Sequence, residues 1–264
     1  MTTTTLPPGG EAHLGFLQRH LPYENGVPGG RWLTILMNRI SPALFSAAFT
    51  AWVRAAWPDR PDFVAIDAKT SRRSHDRAAG EEAIHLVSAF ATPSRLVLGQ
   101  EVVPSKSNEL TAIPALLARL AEQDGLRGAL VSIDAIATNA TIATAIRNAG
   151  ADYLLAVKAN QPSLRAEVEA CFTAGLPGAV ERAGQAVRGH WGIENSLHWV
   201  LDVTFNDDQS RVRKGHGAKN MAVVRHFALN LVRATKDKKS VKLRRKLAGW
   251  KTDYLHQILT QRIT

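Results

Sequence analysis

The sequence predicts an α/β protein: a mixed five-stranded sheet flanked by helices, followed by a helical, basic C-terminal segment. Three observations predict it. Five short apolar runs of strand length lie between residues 62 and 158. The first three are separated by turn signals and the last two are each preceded by a helical pattern, which makes the former antiparallel and the latter parallel. From about residue 163 onward the apolar spacing is helical only.

Residues 1–12, rich in Thr, Pro and Gly, read as a disordered leader, and 13–60 as an N-terminal helical segment. Within it, 31–57 carries helical spacing. Ser41-Pro42 is an N-cap and first-turn pair ahead of Leu44, Phe45, Ala48, Phe49 and Trp52, and Trp57-Pro58 is the stop. DFVAIDA (62–68), IHLVSAFA (84–91) and RLVLGQEVV (95–103) are strands, the last two joined by a turn at Thr92-Pro93-Ser94. A helix over 107–123, capped by Ser107 or Asn108, contains Pro114, which predicts a kink. GALVSIDA (128–135) is the fourth strand, Thr141 to Asn148 a short helix closed by Gly150, and ADYLLAVK (151–158) the fifth strand. The core domain thus spans 61–205, and 206–264 is the basic helical region.

The chain has 264 residues, 45% hydrophobic and 21% charged, enough for an ordinary globular core. A single cysteine, Cys171, excludes an intramolecular disulfide framework and a Cys-cluster zinc site. The start MTTTTLPPGG lacks the basic and apolar regions of a signal peptide, and no apolar run is long enough to span a bilayer. Net charge is +10, and it is concentrated: residues 211–251 hold 14 Lys/Arg and one acid, Asp237, for +13, against −3 for the remainder. Such a segment suits a polyanion, foremost nucleic acid; the alternative is a solvated basic tail. In 221–234, Met221, Val224, Phe227, Ala228 and Leu231 share one face and dock that helix. KDKKSVKLRRKLAGWK is then left free to meet phosphates, with Trp250 packing or stacking on a base.

Walker loops, GxGxxG and GxSxG motifs are absent from the sequence. The carboxylates are more telling. Asp67 and Asp134 end the first and fourth strands, each after Ile, and strand ends face the crevice where ligands bind. On neighbouring strands the two would converge and need a cation, for which carboxylate oxygens suit Mg²⁺. Taken alone, each Asp could equally just turn its loop. A third acid, Glu194, lies between His190 and His198 at i, i+4, i+8, one face of a helix. HxxxExxxH lacks the spacing of a zinc-binding helix, and the plain alternative is a surface helix laced by salt bridges. Gly189 and Gly192 leave room for another backbone to approach.

FVAIDAKTSRRS, ALVSIDA, ADYLLAVKANQ and above all RGHWGIENSLHWVLDVTF followed by SRVRKG resemble bacterial insertion-sequence transposases of the DDE type, in the IS-four superfamily branch with the HWxIENxLHW signature. The resemblance runs from LPYENG at 21 to AGWKTDYL at 248–255. It implies an RNase H-like fold and a metal-dependent enzyme that cleaves and joins DNA strands. Its catalytic and metal-holding acids fall on Asp67, Asp134 and Glu194, with Mg²⁺ as cofactor and Mn²⁺ as substitute. It further implies DNA contacts from Lys158, His190, Arg211, Arg213, Lys214, Arg244, Arg245 and Lys246. The partners implied are the element's terminal inverted repeats, target DNA and a second copy of the chain on DNA, with work done in the bacterial cytoplasm at the nucleoid.

This chain departs from the family in places. Ala68 stands where the family has Gly, and Leu201 where many relatives carry a basic residue. Only 60 positions separate Asp134 from Glu194, where the family has a longer, β-rich insertion. The N-terminal segment is also short. These departures imply a shortened copy of reduced activity. A catalytically dead DNA-binding remnant and a stand-alone RNase H-like nuclease are the alternatives.

Overall fold

The structure, a computed structural model, describes residues 13–75, 80, 82–103, 109–135, 138–159, 161–173 and 179–261. The leader 1–12 and the cap at Ser107 or Asn108 lie outside them. In chain order the elements are α1 (Leu14–Leu17), α2 (Gly30–Arg39), α3 (Pro42–Ala56), β1 (Phe63–Thr70), β2 (His85–Ala91), β3 (Leu96–Val103) and α4 (Glu109–Ala121). Then follow β4 (Leu130–Ile133), α5 (Ala140–Asn148), β5 (Asp152–Leu155), α6 (Pro162–Thr173), α7 (Ala179–Ile193), a π-helical turn (Glu194–His198) and α8 (Trp199–Phe205). The last three are α9 (Gly217–Ala234), α10 (Val241–Trp250) and α11 (Thr252–Thr260). The chain divides into two compact units, Ser46–Arg211 and the described residues up to Phe45 together with Val212 onward.

In the unit Ser46–Arg211 the five expected strands form one sheet in the order β3-β2-β1-β4-β5. β1–β2 and β2–β3 are antiparallel, while β1–β4 and β4–β5 are parallel. This follows from the connections: Thr92 to Arg95 make the tight β2–β3 turn, with Arg95 at φ 58°, whereas helices intervene before β4 and β5. The arrangement is the mixed, RNase H-like sheet the resemblance implies. One face carries the apolar core: Val64, Ile66, Val87 and Ala89 pack beneath Ile113, Leu116 and Leu117 of α4 and Ile142 and Ile146 of α5. Pro114 is inside α4, which continues through it. Asn139 caps α5, its side chain accepting from Ile142 N at 3.0 Å, and Gly150 at φ 74° closes the turn beyond it.

The opposite face carries α7. A Cβ at Gly192 would lie 2.5 Å from Thr92 Cγ2, and one at Gly189 would lie 3.0 Å from the Phe63 ring. The two glycines therefore let the helix lie close on the sheet, as their spacing predicts. The Thr92 hydroxyl donates to the Gly189 carbonyl at 3.1 Å, tying the hairpin to the helix.

The other unit joins the N-terminal segment to the basic C-terminal region. The helical run expected over 31–57 is two helices, because Ser41-Pro42 starts a new one. Asn220, fully buried on α9, donates from Nδ2 to the Met37 and Ile40 carbonyls at 2.7 and 2.9 Å, satisfying the end of α2. Asn38 Oδ1 accepts from Gly217 N at 3.1 Å, and Phe45 stacks on Phe227 at 6.0 Å between ring centroids. Among the described residues no helix is long and apolar enough to cross a membrane.

Candidate active site

The register of β1 with β4 runs from Phe63↔Leu130 to Ile66↔Ile133. Asp67 and Asp134 are therefore the next positions on neighbouring parallel strands. The helix α7 crosses above them and ends at Ile193, so Glu194 opens the π-helical turn that follows. All three acids line one pocket of about 580 Å³. Its other polar walls include Ser132, Lys158, Arg165, Glu169 and His190, and its apolar wall includes Leu154, Leu155, Phe172 and Trp191.

Two histidines flank the acids in different ways. His190 Nδ1 lies 2.9 Å from the hydroxyl of Ser132, a buried residue of β4. His198 Nδ1 lies 2.9 Å from Glu194 Oε2 and 3.5 Å from Asp67 Oδ2. An unbroken α-helix would have kept His190, Glu194 and His198 on one stripe. The π-helical turn, with one extra residue per turn, carries Glu194 and His198 into a separate cluster with Asp67. The ligand atoms of these three lie within 4.8 Å of one another, and Asp134 is outside that tightest group.

The electrostatics favour a cation. Burial pushes the Asp67 carboxyl above its ordinary value, and the nearby Asp134 charge pushes the same way. His198, the Ala68 N–H that Asp67 Oδ1 accepts at 2.8 Å, and His190 oppose the rise only in part. Lys158 Nζ stands 3.9 Å from Asp134 Oδ2.

Sequence reasoning missed a second tie between β1 and the helix. Lys69, two positions after Asp67 and on the same face of β1, is 13% exposed and reaches Asp202 Oδ1 at 2.6 Å and Asp208 Oδ1 at 3.5 Å. Its signal was period two: Asp67 and Lys69 on β1, like Ser132 on β4 and Asp134 just beyond it, alternate with apolar residues.

The basic residues fall on both units. Arg211 ends the sheet unit; Arg213, Lys214, Arg244, Arg245 and Lys246 belong to the other. Arg211, Lys214, Arg245 and Lys246 are exposed. Arg244 is placed otherwise than a phosphate contact requires. It is 11% exposed, and its guanidinium donates to Asp237 Oδ1 at 2.7 Å, the Val232 carbonyl at 3.1 Å and the Asp237 carbonyl at 2.5 Å. Tyr254 donates to the same carboxylate at 2.8 Å. Although burial opposes it, the donors Lys239, Tyr254 and Arg244 hold Asp237 well below the usual carboxylate range. Burial and the Asp237 bond push the Tyr254 phenol up to about 12. Trp250 is exposed, with Lys246 Nζ 5.9 Å from its ring centroid.

Residues 58–231 match the family described as "Transposase DDE domain". The "H repeat-associated putative transposase YhhI" of Escherichia coli (strain K12) is 31% identical over 328 aligned positions, covering 95% of this chain and 85% of that protein. The "H repeat-associated putative transposase YbfD" of the same organism is 36% identical over 197, covering 74% of this chain and 76% of that one. A solved piggyBac transposase synaptic complex with hairpin DNA aligns at a TM-score of 0.42 and 12% identity over 84% of this chain and 61% of that one, a likeness too slight to carry an argument.

Proposed function

The chain belongs to the DDE transposase family, and from that premise we propose that Asp67, Asp134 and Glu194 are the acids with which it cleaves and joins DNA at the ends of an insertion sequence. It is a transposase of an insertion sequence, an enzyme that acts on DNA with divalent metal. The observation that supports the assignment of the acids is their convergence: adjacent positions where the β1–β4 pairing ends, beneath one helix, in one pocket.

The donor set fits such ions. Three carboxylates surround one space, and Asp67 is held where its negative charge is disfavoured without a partner. Asp67, Asp134 and Glu194 would hold the metal, Mg²⁺ with Mn²⁺ substituting, because these are oxygen donors. When bound, the ions stabilise the attacking and leaving oxygens of an in-line phosphodiester displacement. Lys158, on the rim beside Asp134, and His190, held by Ser132, contact the phosphate. Arg211, Arg213, Lys214, Arg245 and Lys246 hold the backbone of terminal repeats and target DNA. A second copy completes the complex on DNA, in the bacterial cytoplasm at the nucleoid.

This copy is shortened internally and works weakly. The alignment with YhhI runs over 328 positions, while the chain has 264 residues, so at least 64 of those positions (328 less 264) have no counterpart here. The 60-position interval between Asp134 and Glu194 is where we place the loss. Purified protein with Mg²⁺ or Mn²⁺ is expected to nick element-end DNA slowly, and Asp134→Asn to abolish the nicking. Nicking that survives in Asp134→Asn removes this residue from the chemistry. No nicking by the wild type under either ion favours a DNA-binding remnant, and equal cutting of unrelated DNA a stand-alone nuclease.

A further inference from the structure

The potential ligand group that gathers at Asp67 is not three acids but two acids and an imidazole, Glu194 and His198 being the partners. Resting on the DDE assignment of this site, we propose that His198 is itself a metal ligand, through Nδ1, and that it makes the position between Asp67 and Glu194 prefer Mn²⁺ to Mg²⁺.

Distance is the first support. Two neighbouring ligands on an octahedral ion, each bonded at about 2.1 Å, stand about 3 Å apart. Nδ1 is 2.9 Å from Glu194 Oε2 and 3.5 Å from Asp67 Oδ2. Both distances from Nδ1 are thus close to that spacing, and the two carboxylate oxygens lie within 4.8 Å of each other.

Direction and rigidity are the second. The His198 side chain is 5% exposed, so its ring is fixed by packing rather than by solvent. Its other nitrogen, Nε2, is buried and meets no hydrogen-bond partner among the described residues. Nδ1 is therefore the nitrogen that meets polar groups, and those groups are the two carboxylates. The turn that delivers it is the π-helical segment Glu194–His198, a local departure from α-helix of the kind found at functional sites.

Chemistry gives the preference. Carboxylates and water suit Mg²⁺ and Mn²⁺ alike, whereas imidazole nitrogen favours transition-metal ions. Asp134 lies outside the tightest group, so a position nearer to it is lined by oxygen alone. The two positions of the site then differ in kind, one with a nitrogen ligand and one without.

The test is Mn²⁺ alone, titrated into the full chain and followed by pulsed EPR, which reads nitrogen bound to the ion. With ¹⁵N-histidine protein, a single histidine coupling is expected in the wild type. His198→Asn, whose amide can keep the hydrogen bond to Glu194, is expected to lose it and to bind Mn²⁺ roughly tenfold more weakly. Mg²⁺ affinity, measured by competition, is expected to change far less. Mn²⁺ binding with no nitrogen coupling in the wild type, a result that needs no variant, overturns the proposal and leaves His198 as a group that orients Glu194. Coupling that survives in His198→Asn but is lost in His190→Asn overturns it in favour of His190. Absence of any Mn²⁺ binding overturns this proposal together with the metal-dependent assignment beneath it.

Discussion

Replacing Gly192 with Ala tests whether close approach of α7 to the sheet is what brings Glu194 into the site. The added Cβ would lie 2.5 Å from Thr92 Cγ2, where ordinary carbon contacts are about 3.5–4.0 Å. Helix or hairpin must therefore yield by about 1 Å. Overpacking of this kind costs about 1–3 kcal/mol, while Ala in a helix returns about 1 kcal/mol relative to Gly. The net destabilisation expected is about 1 kcal/mol in thermal or urea unfolding. The effect on catalysis should be larger, because Glu194 is two residues away and a displacement of about 1 Å in a positioned group can lower the rate about 100-fold. The compensating change is Thr92→Ser, which removes Cγ2 but keeps the hydroxyl that donates to the Gly189 carbonyl. The double variant should recover most of the stability and the nicking rate. A Gly192→Ala chain that is more stable than wild type and nicks normally would refute the close-packing account, as would failure of Thr92→Ser to rescue.

Three further outcomes are expected. Lys69→Met leaves Asp202 without its lysine and Asp208 with only the exposed Arg72 at 3.8 Å, and should destabilise the sheet unit by about 3 kcal/mol in urea unfolding, with much of the loss recovered by adding Asp202→Asn. The Asp237–Tyr254 knot gives the helical unit a stability window. Asp237 is depressed, so its contribution is present above its unfolded pKa of about 3.9 and lost as pH falls below it; Tyr254 is raised to about 12, so its contribution is present below about pH 10 and lost as pH rises from there toward 12. Melting temperature against pH should show both arms, and Tyr254→Phe should flatten the alkaline one. Replacing Lys242, Arg245 and Lys246 with Ala should weaken duplex binding and reduce the slope of log affinity against log salt by about 2.7, about 0.9 for each lost contact, whereas Arg244→Ala should lower the melting temperature instead.

β1 to β4, the tight β2–β3 turn and the helical crossovers were legible because burial on a sheet writes short apolar runs bounded by turn residues; β5, exposed to half-buried, was legible from its apolar run alone. Asp67 and Asp134 could be paired from sequence because each follows a buried Ile, although β1 runs on past Asp67 to Thr70, where the sequence suggested that it ended. That Glu194 joins Asp67 came from the resemblance; that His198 joins them was not legible. A π-helical turn has no composition of its own, and shifting the register by one residue moves a histidine from one partner to another. Charge density was equally blind to orientation. Arg244, Arg245 and Lys246 are consecutive, yet a helix turns about 100° per residue, and it is Arg244 that faces Asp237. Lys69 looked like one more basic residue because its partners, Asp202 and Asp208, are more than 130 positions away.

The order β3-β2-β1-β4-β5 has a consequence for when the pocket comes into being. β1, β2 and β3 are neighbours in sequence and can pair as soon as they leave the ribosome, since contacts between near residues close with little entropy loss. β4 must then add to the far side of β1, bringing Asp134 beside Asp67. Glu194 and His198 arrive last, on a helix that has only a finished sheet to dock against. A half-made chain therefore holds a sheet without the cluster of Asp67, Glu194 and His198, and the pocket is complete only after nearly the whole sheet unit has been synthesised and folded.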